Sequence, residues 1–187
     1  MADNTNVNTN RGWINGDGLR VKFPQDAIVV GKAGTYRTHT STLVTEIDVG
    51  YAQMALGTDG THAVVLDYDT VLPVGASIEK CEFYVTTAWD SASSDVALNF
   101  GLIKRTDFTT IIDTDGLMDT VAKTVIDLAG NLVVTQAAGS YPDITTYAGA
   151  LLGTALSFDS VVVGYWENHA PTAGAGKLKI YWRMPGA

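Results

Sequence analysis

At 187 residues, 46% of them hydrophobic and only 17% charged, the chain has the composition of a globular protein that closes its own core. A chain of this size buries roughly 70% of its unfolded surface, so no disulfide or structural metal is required; the single cysteine, Cys81, excludes an intrachain disulfide outright. The 20 acidic residues outnumber the 12 basic ones, and the formal charge of -8 repels phosphate backbones and anionic headgroups, which excludes charge-driven binding to nucleic acid or a membrane surface.

The first ten residues, MADNTNVNTN, are too polar to offset the entropy of ordering, and they lack the basic start and apolar run of a secretory signal. Residues 1–12 therefore read as a flexible N-terminal arm, either a plain disordered end or a segment that orders on a partner, and residues 13–187 as a single β-sandwich domain. No stretch reaches the roughly 18 apolar residues that a membrane helix needs. Synthesis in a cytoplasm is expected, with export only as part of a larger particle.

After the arm, Gly16, Asp17 and Gly18 mark a turn between Trp13–Ile14 and a run from Leu19 to Phe23, which Pro24 closes. Ala27 to Val30 is a short apolar strand, and Leu43 to Val49 alternates apolar with polar. The clearest period of two spans Ile78 to Thr87, where Cys81, Phe83 and Val85 share one face and Glu82, Tyr84 and Thr86 the other. Val96, Leu98, Phe100 and Leu102 repeat the pattern, as do Leu178, Ile180 and Trp182 against Lys177, Lys179, Tyr181 and Arg183. Between them, Leu117, Val121 and Val125 recur every four residues behind Asp115 and Gly116, which predicts one short helix with a cap. Val161 to Trp166 is apolar on both faces, as in a covered strand. Short alternating strands and a single helix predict an all-β fold: an antiparallel two-sheet sandwich, jelly-roll-like, with one short helix.

The residues that carry chemistry are scattered. His39, His62 and His169 stand far apart with no metal-ligand spacing. Asp113, Asp115 and Gly116 form a fragment of a calcium loop, without the further oxygen ligands such a loop needs, and read as a solvated turn; Asp67 and Asp69 alternate at a strand end. The run VVGKAGT fails as a phosphate loop, with Asp26 where a glycine and Ala33 where a hydroxyl would stand. No nucleophile elbow is present, and a carboxylate pair assembled from distant strands would leave no trace in sequence. The expectation is a protein with no catalytic residue, no cofactor and no metal. Cys81, flanked by apolar positions, reads as a buried inert thiol. The tryptophans attract more attention, because large aromatics dominate both cores and interfaces. Trp182 alternates with core positions. Trp89, beside Asp90 and the run SASS, and Trp166, before the loop ENHAPTAGAG, are either core residues or exposed recognition residues. Trp13, Ile14, Trp89 and Trp166 are thus the candidate partner-binding residues.

The segment LPVGASIEKCEFYVTTAWDSASSDVALNFGL, followed by DTDGL, resembles small virion proteins of tailed bacteriophages, marine and cyanobacterial ones in particular. Leu72, Pro73, Gly75, Ala76 and Ile78 match the start of a family strand, Val85, Thr86 and Ala88 its end, Leu98, Gly101 and Leu102 the next strand, and Asp115, Gly116 and Leu117 a following turn. The resemblance covers Val71 to Leu117, extends loosely to the last strands, and does not reach the first 40 residues. Where such proteins often carry paired glycines, this chain has Ser91, Ala92, Ser93 and Ser94. It implies a head decoration or cement protein on the outer capsid surface, a homotrimer that clamps neighbouring subunits of the major capsid protein. The alternative is a receptor- or carbohydrate-binding virion module, and a glycan hydrolase on the same scaffold is the third class.

Overall fold

The computed structural model describes residues 42–56, 63–138 and 146–184 in full, together with short strand backbones before them. In chain order the strands are β1 (Gly12–Ile14), β2 (Arg20–Lys22), β3 (Val29–Val30), β4 (Ala33–Arg37), β5 (Leu43–Gly50), β6 (Ala55–Leu56), β7 (Val64–Val65), β8 (Val71–Leu72), β9 (Ser77–Asp90), β10 (Ala97–Lys104) and β11 (Ile111–Ala122); helix α1 (Lys123–Ile126), β12 (Leu132–Gln136), β13 (Ser160–Glu167) and β14 (Ala173–Arg183) complete it. Strands β1 and β2 form a two-stranded sheet, with Trp13 opposite Val21 and Ile14 opposite Arg20. Residues 1–11 lie outside the described residues.

Two six-stranded sheets carry the molecule. The first runs β12-β9-β14-β5-β4-β3, and the second β11-β10-β13-β6 with β7 and β8 also on β13. From β5 onward the chain passes between the sheets at β5–β6, β8–β9, β9–β10, β11–β12, β12–β13 and β13–β14, whereas β6 to β8 and β10 to β11 stay within the second sheet, so the two sheets form one antiparallel-dominated sandwich. The free side of β13 is tiled by three short pieces: β8 against Ser160–Val161, β7 against Val163–Gly164, and β6 against Tyr165–Trp166. The β6 pairing is parallel and is the exception to the antiparallel pattern of the rest of the sandwich. A long strand covered by fragments leaves no continuous edge for another chain to extend.

The alternations predicted from sequence become the two inner faces. Ile78, Cys81, Phe83, Val85 and Trp89 of β9 and Leu178, Ile180 and Trp182 of β14 meet Leu98, Phe100 and Leu102 of β10 and Val162 and Trp166 of β13 in one core. Phe83 contacts Phe100 across the sheets with ring centroids 5.2 Å apart, and Trp89 contacts Trp166 at 4.8 Å, so an aromatic spine ties one sheet to the other. Room for it is made by Gly174, at φ 139°, where a Cβ would lie 2.2 Å from the Trp89 ring. Cys81 is fully buried, and that burial pushes its thiol well above the ordinary range, as expected of an inert core cysteine.

On the outer face of the first sheet the polar half of each alternation forms a charged ladder. Lys177 bridges Glu46 at 2.8 Å and Asp48 at 2.9 Å, and Lys80 bridges Glu82, whose other oxygen accepts from the Tyr181 hydroxyl at 2.7 Å. Each such pair is worth little alone, about 0–1 kcal/mol at this exposure. The ladder also absorbs the basic residues of β14 into local pairs.

One predicted element is corrected. Leu117 and Val121 lie in β11, and only Val125 falls on helix α1, a single turn. A spacing of four is also two strand periods, so these positions suit a strand face as well as a helix stripe. Thr114, Thr120 and Val121 are β-branched and favour the strand. Asp115 and Gly116 therefore cap no helix. They belong to a bulge, in which Phe100 pairs with Met118 while Leu102 pairs with Asp113, so that β11 inserts extra residues opposite Gly101. The bulge lies so close that a Cβ on Gly101 would fall 2.1 Å from the Asp113 carbonyl oxygen.

Candidate functional site

The structure separates the candidate contact residues. Trp89 and Trp166 are 1% and 0% exposed and pack against each other at a tilt in the core, so neither presents its ring to solvent. Trp89 is in phase with Cys81, Phe83 and Val85 on the inner face of β9, and Trp166 lies on β13, a strand buried on both faces, with Val162 on its core side. Their indole nitrogens have no acceptor among the described residues, whereas Trp182 donates to the Thr45 hydroxyl at 2.9 Å. Trp13 and Ile14 lie on β1, and their side chains fall outside the described residues.

Three exposed aromatics gather instead at one end of the sandwich, where three loops meet, while Tyr51 and Tyr84 are exposed elsewhere. Tyr68, between β7 and β8, is 59% exposed; Phe108, between β10 and β11, is 38% exposed; Phe158, just before β13, is 45% exposed. Tyr68 and Phe108 touch edge to face with centroids 5.1 Å apart, and the Lys104 ammonium lies 3.6 Å over the Phe158 ring. Val74, also exposed, is tied to the same end through its backbone N–H, which donates to Asp159 at 2.8 Å.

The backbone beside each ring is tied down by an aspartate adjacent to it in sequence. Asp67 accepts from the Asp69 N–H and the Thr70 hydroxyl, both at 2.9 Å. Asp107 accepts from the backbone N–H groups of Thr109 and Thr110 at 3.0 and 2.8 Å and from the Thr110 hydroxyl. These donors favour the ionised form and hold the Asp107 carboxyl down at about 2. Asp159 accepts from Val74 and, through its carbonyl, from the Arg105 N–H at 2.9 Å. Phe108 itself adopts φ 54°, a left-handed conformation costing a bulky residue about 1–2 kcal/mol. A closed loop with a strained aromatic at its tip is a preorganised contact, because the ordering entropy is met on folding rather than on binding.

The sequence carries a signal for this end that residue type alone does not show. Tyr68 stands between Asp67 and Asp69, Phe108 follows Asp107, and Phe158 precedes Asp159. An aromatic beside a turn-forming aspartate has no strand phase to carry it inward.

The other singled-out groups lie elsewhere. Asp113 and Asp115 meet on the β11 bulge, where the Asp115 N–H donates to Asp113 Oδ1 at 3.4 Å. Burial, then the Asp115 carboxyl beside it, pushes Asp113 up to about 6. Neighbouring Tyr165 is raised to about 12 by burial and by the charges of Asp115 and Glu167. Among the described residues no group of three or more His, Cys, Asp or Glu is placed to hold a metal ion. His169 is exposed, and His39 and His62 lie outside the described residues. No helix among the described residues is long and apolar enough to cross a membrane.

No protein-family model matches the chain, and no curated protein matches it significantly. Solved structures similar to it include the acidic stable capsid structure of Helicobacter pylori bacteriophage KHP30, at TM-score 0.48 and 15% identity over 81% of this chain and 94% of that one. A second is the capsid of Ralstonia phage GP4, at TM-score 0.46 and 15% identity over 94% and 96%. A third is the capsid asymmetric unit of cyanophage Pam1, at TM-score 0.46 and 18% identity over 91% and 97%.

Proposed function

We propose that this chain is a structural protein of a tailed-bacteriophage virion, made in the host cytoplasm, which decorates the outer capsid surface and clamps neighbouring major capsid subunits as a homotrimer. The observation that carries a binding role is the end built by Tyr68, Phe108 and Phe158, with exposed rings held in place by Asp67, Asp107 and Asp159 on a rigid sandwich. The assignment to a virion rests on the sequence resemblance over Val71 to Leu117; the capsid structures named above, at TM-scores below 0.5, lend it no weight. The mechanism is mechanical. A module that touches two subunits opposes their separation, and three copies in one trimer turn weak contacts into avidity. Trp13 and Ile14, with the arm before them, would supply a second contact by ordering on the capsid or on a neighbouring copy.

The test is quantitative gel analysis of purified particles together with sedimentation of the protein with empty heads. A cement protein is present in hundreds of copies and co-sediments; a Tyr68→Ala/Phe108→Ala variant that keeps its unfolding temperature loses co-sedimentation. Removal of residues 1–12 should weaken binding as well, and unchanged binding would end the role of the arm. The exposure of Tyr68 also favours a second reading, a carbohydrate-binding virion module that stacks a sugar on that ring. Copy number separates the two, since a fibre-tip module is present in tens.

A further inference from the structure

The aromatic end carries an excess of negative charge. Among the described residues, Asp67, Asp69, Asp107 and Asp159 share that end with two cationic side chains, Lys104 and Arg105, in a chain whose formal charge is already -8. The hydrogen bonds that Asp67, Asp107 and Asp159 accept fix these carboxylates without neutralising them, because every donor is a neutral amide or hydroxyl. The described residues offer no ion pair to any of the four aspartates. The surface also shows what its rings accept: Lys104 lies over the face of Phe158 at 3.6 Å, a cation held against an aromatic face. Tyr68 and Phe108 are exposed rings of the same kind with carboxylates alongside.

We infer that this end docks an arginine-bearing surface of a partner protein, the guanidinium lying on the Tyr68 and Phe108 rings and pairing with Asp69 or Asp107. Arginine fits better than lysine, since its planar, weakly hydrated head can stack on a ring while its N–H groups reach a carboxylate. A second copy of this acidic chain is disfavoured by like charge, and a sugar has no use for a concentration of fixed carboxylates. The inference sharpens the decoration reading by naming the chemistry of the capsid patch it would meet, but its test needs no particle.

The full chain, labelled for NMR, is titrated with a hexa-arginine peptide, and in parallel with hexalysine, hexaglutamate and maltohexaose. Hexa-arginine should shift the ring signals of Tyr68 and Phe108, and salt should weaken the response. Tyr68→Ala and, separately, Asp69→Asn should each weaken apparent affinity about threefold, the scale of an exposed cation–ring contact. Unchanged unfolding temperatures show that both variants fold, and the peptide comparison on the wild-type chain requires no variant. Unmoved ring signals with hexa-arginine, or an equal response to hexalysine, would overturn the assignment. A response to maltohexaose at the same rings would replace it with the sugar-binding reading. Particle copy number is a separate measurement, so failure here leaves the decoration reading standing.

Discussion

Thr120, in β11, has φ 51°, a conformation that a β-branched residue adopts only at a cost of about 1–3 kcal/mol. It is held there because its N–H donates to Asn99 Oδ1 at 2.7 Å, and Asn99 is fully buried. Glycine would remove the strain and keep the donor, while adding about 0.4–1 kcal/mol of unfolded-chain entropy. Thr120→Gly is therefore expected to raise stability by about 1 kcal/mol in urea unfolding, and a loss would show that the strain is not the dominant effect. Gly174→Ala has the opposite expectation. A methyl 2.2 Å from the Trp89 ring at φ 139° must displace the core, at about 1–3 kcal/mol. Asp113 adds a pH dependence. In the fold it ionises at about 6, against 3.8 ordinarily, so between those values the folded chain holds a proton that the unfolded chain has released. Stability should fall as pH rises through that window and level off above about 6, and Asp113→Asn should flatten the unfolding temperature over the same range.

At the scale of elements, what was legible is what has a phase. The alternations at Ile78–Thr87, Val96–Leu102 and Leu178–Trp182 fix both which residues pair with core and which form the charged ladder, and β9, β10 and β14 follow them closely. The β11 bulge was not legible, because its cause is the backbone contact over Gly101, a pairing between strands that no single run contains. The same limit applies to the exposed aromatics. Trp89 and Trp166 look like recognition residues by type and by their place near strand ends, but phase carries Trp89 inward and Trp166 lies on a strand covered on both faces, whereas Phe108 has only the turn chemistry of Asp107 to announce it. That turn is itself testable. Its carboxyl is lowered to about 2 from 3.8, so its contribution is present above about pH 4 and is lost as pH falls toward 2. Asp107→Ala should abolish that acid transition in the loop and speed hydrogen exchange at the Thr109 and Thr110 amides, with the sandwich amides unmoved.

The whole molecule depends on its last strand. β14 lies between β9 and β5, pairing Leu178 with both Phe83 and Ile47, and Trp182 with both Ile78 and Leu43. Without it β5, β4 and β3 have no attachment to the rest of the first sheet, and Leu178, Ile180 and Trp182 leave the core together. Removing one large buried side chain costs about 2–5 kcal/mol, and a domain has only about 5–15 kcal/mol in all, so losing these at once exceeds what the fold can spare. A chain ending at residue 172 should therefore show no cooperative unfolding transition and no near-ultraviolet aromatic signal, even though every other strand is present. Adding the missing segment as a separate peptide should restore both, since the groove between β9 and β5 offers hydrogen bonds on its two sides. The intact chain should refold slowly, in roughly milliseconds to seconds, because Leu43 must find Trp182 across about three quarters of the chain before the first sheet closes. If the shortened chain instead unfolds cooperatively, the second sheet and β9 form a stable unit without β14, and the sandwich is not the single cooperative body on which a clamp would rely.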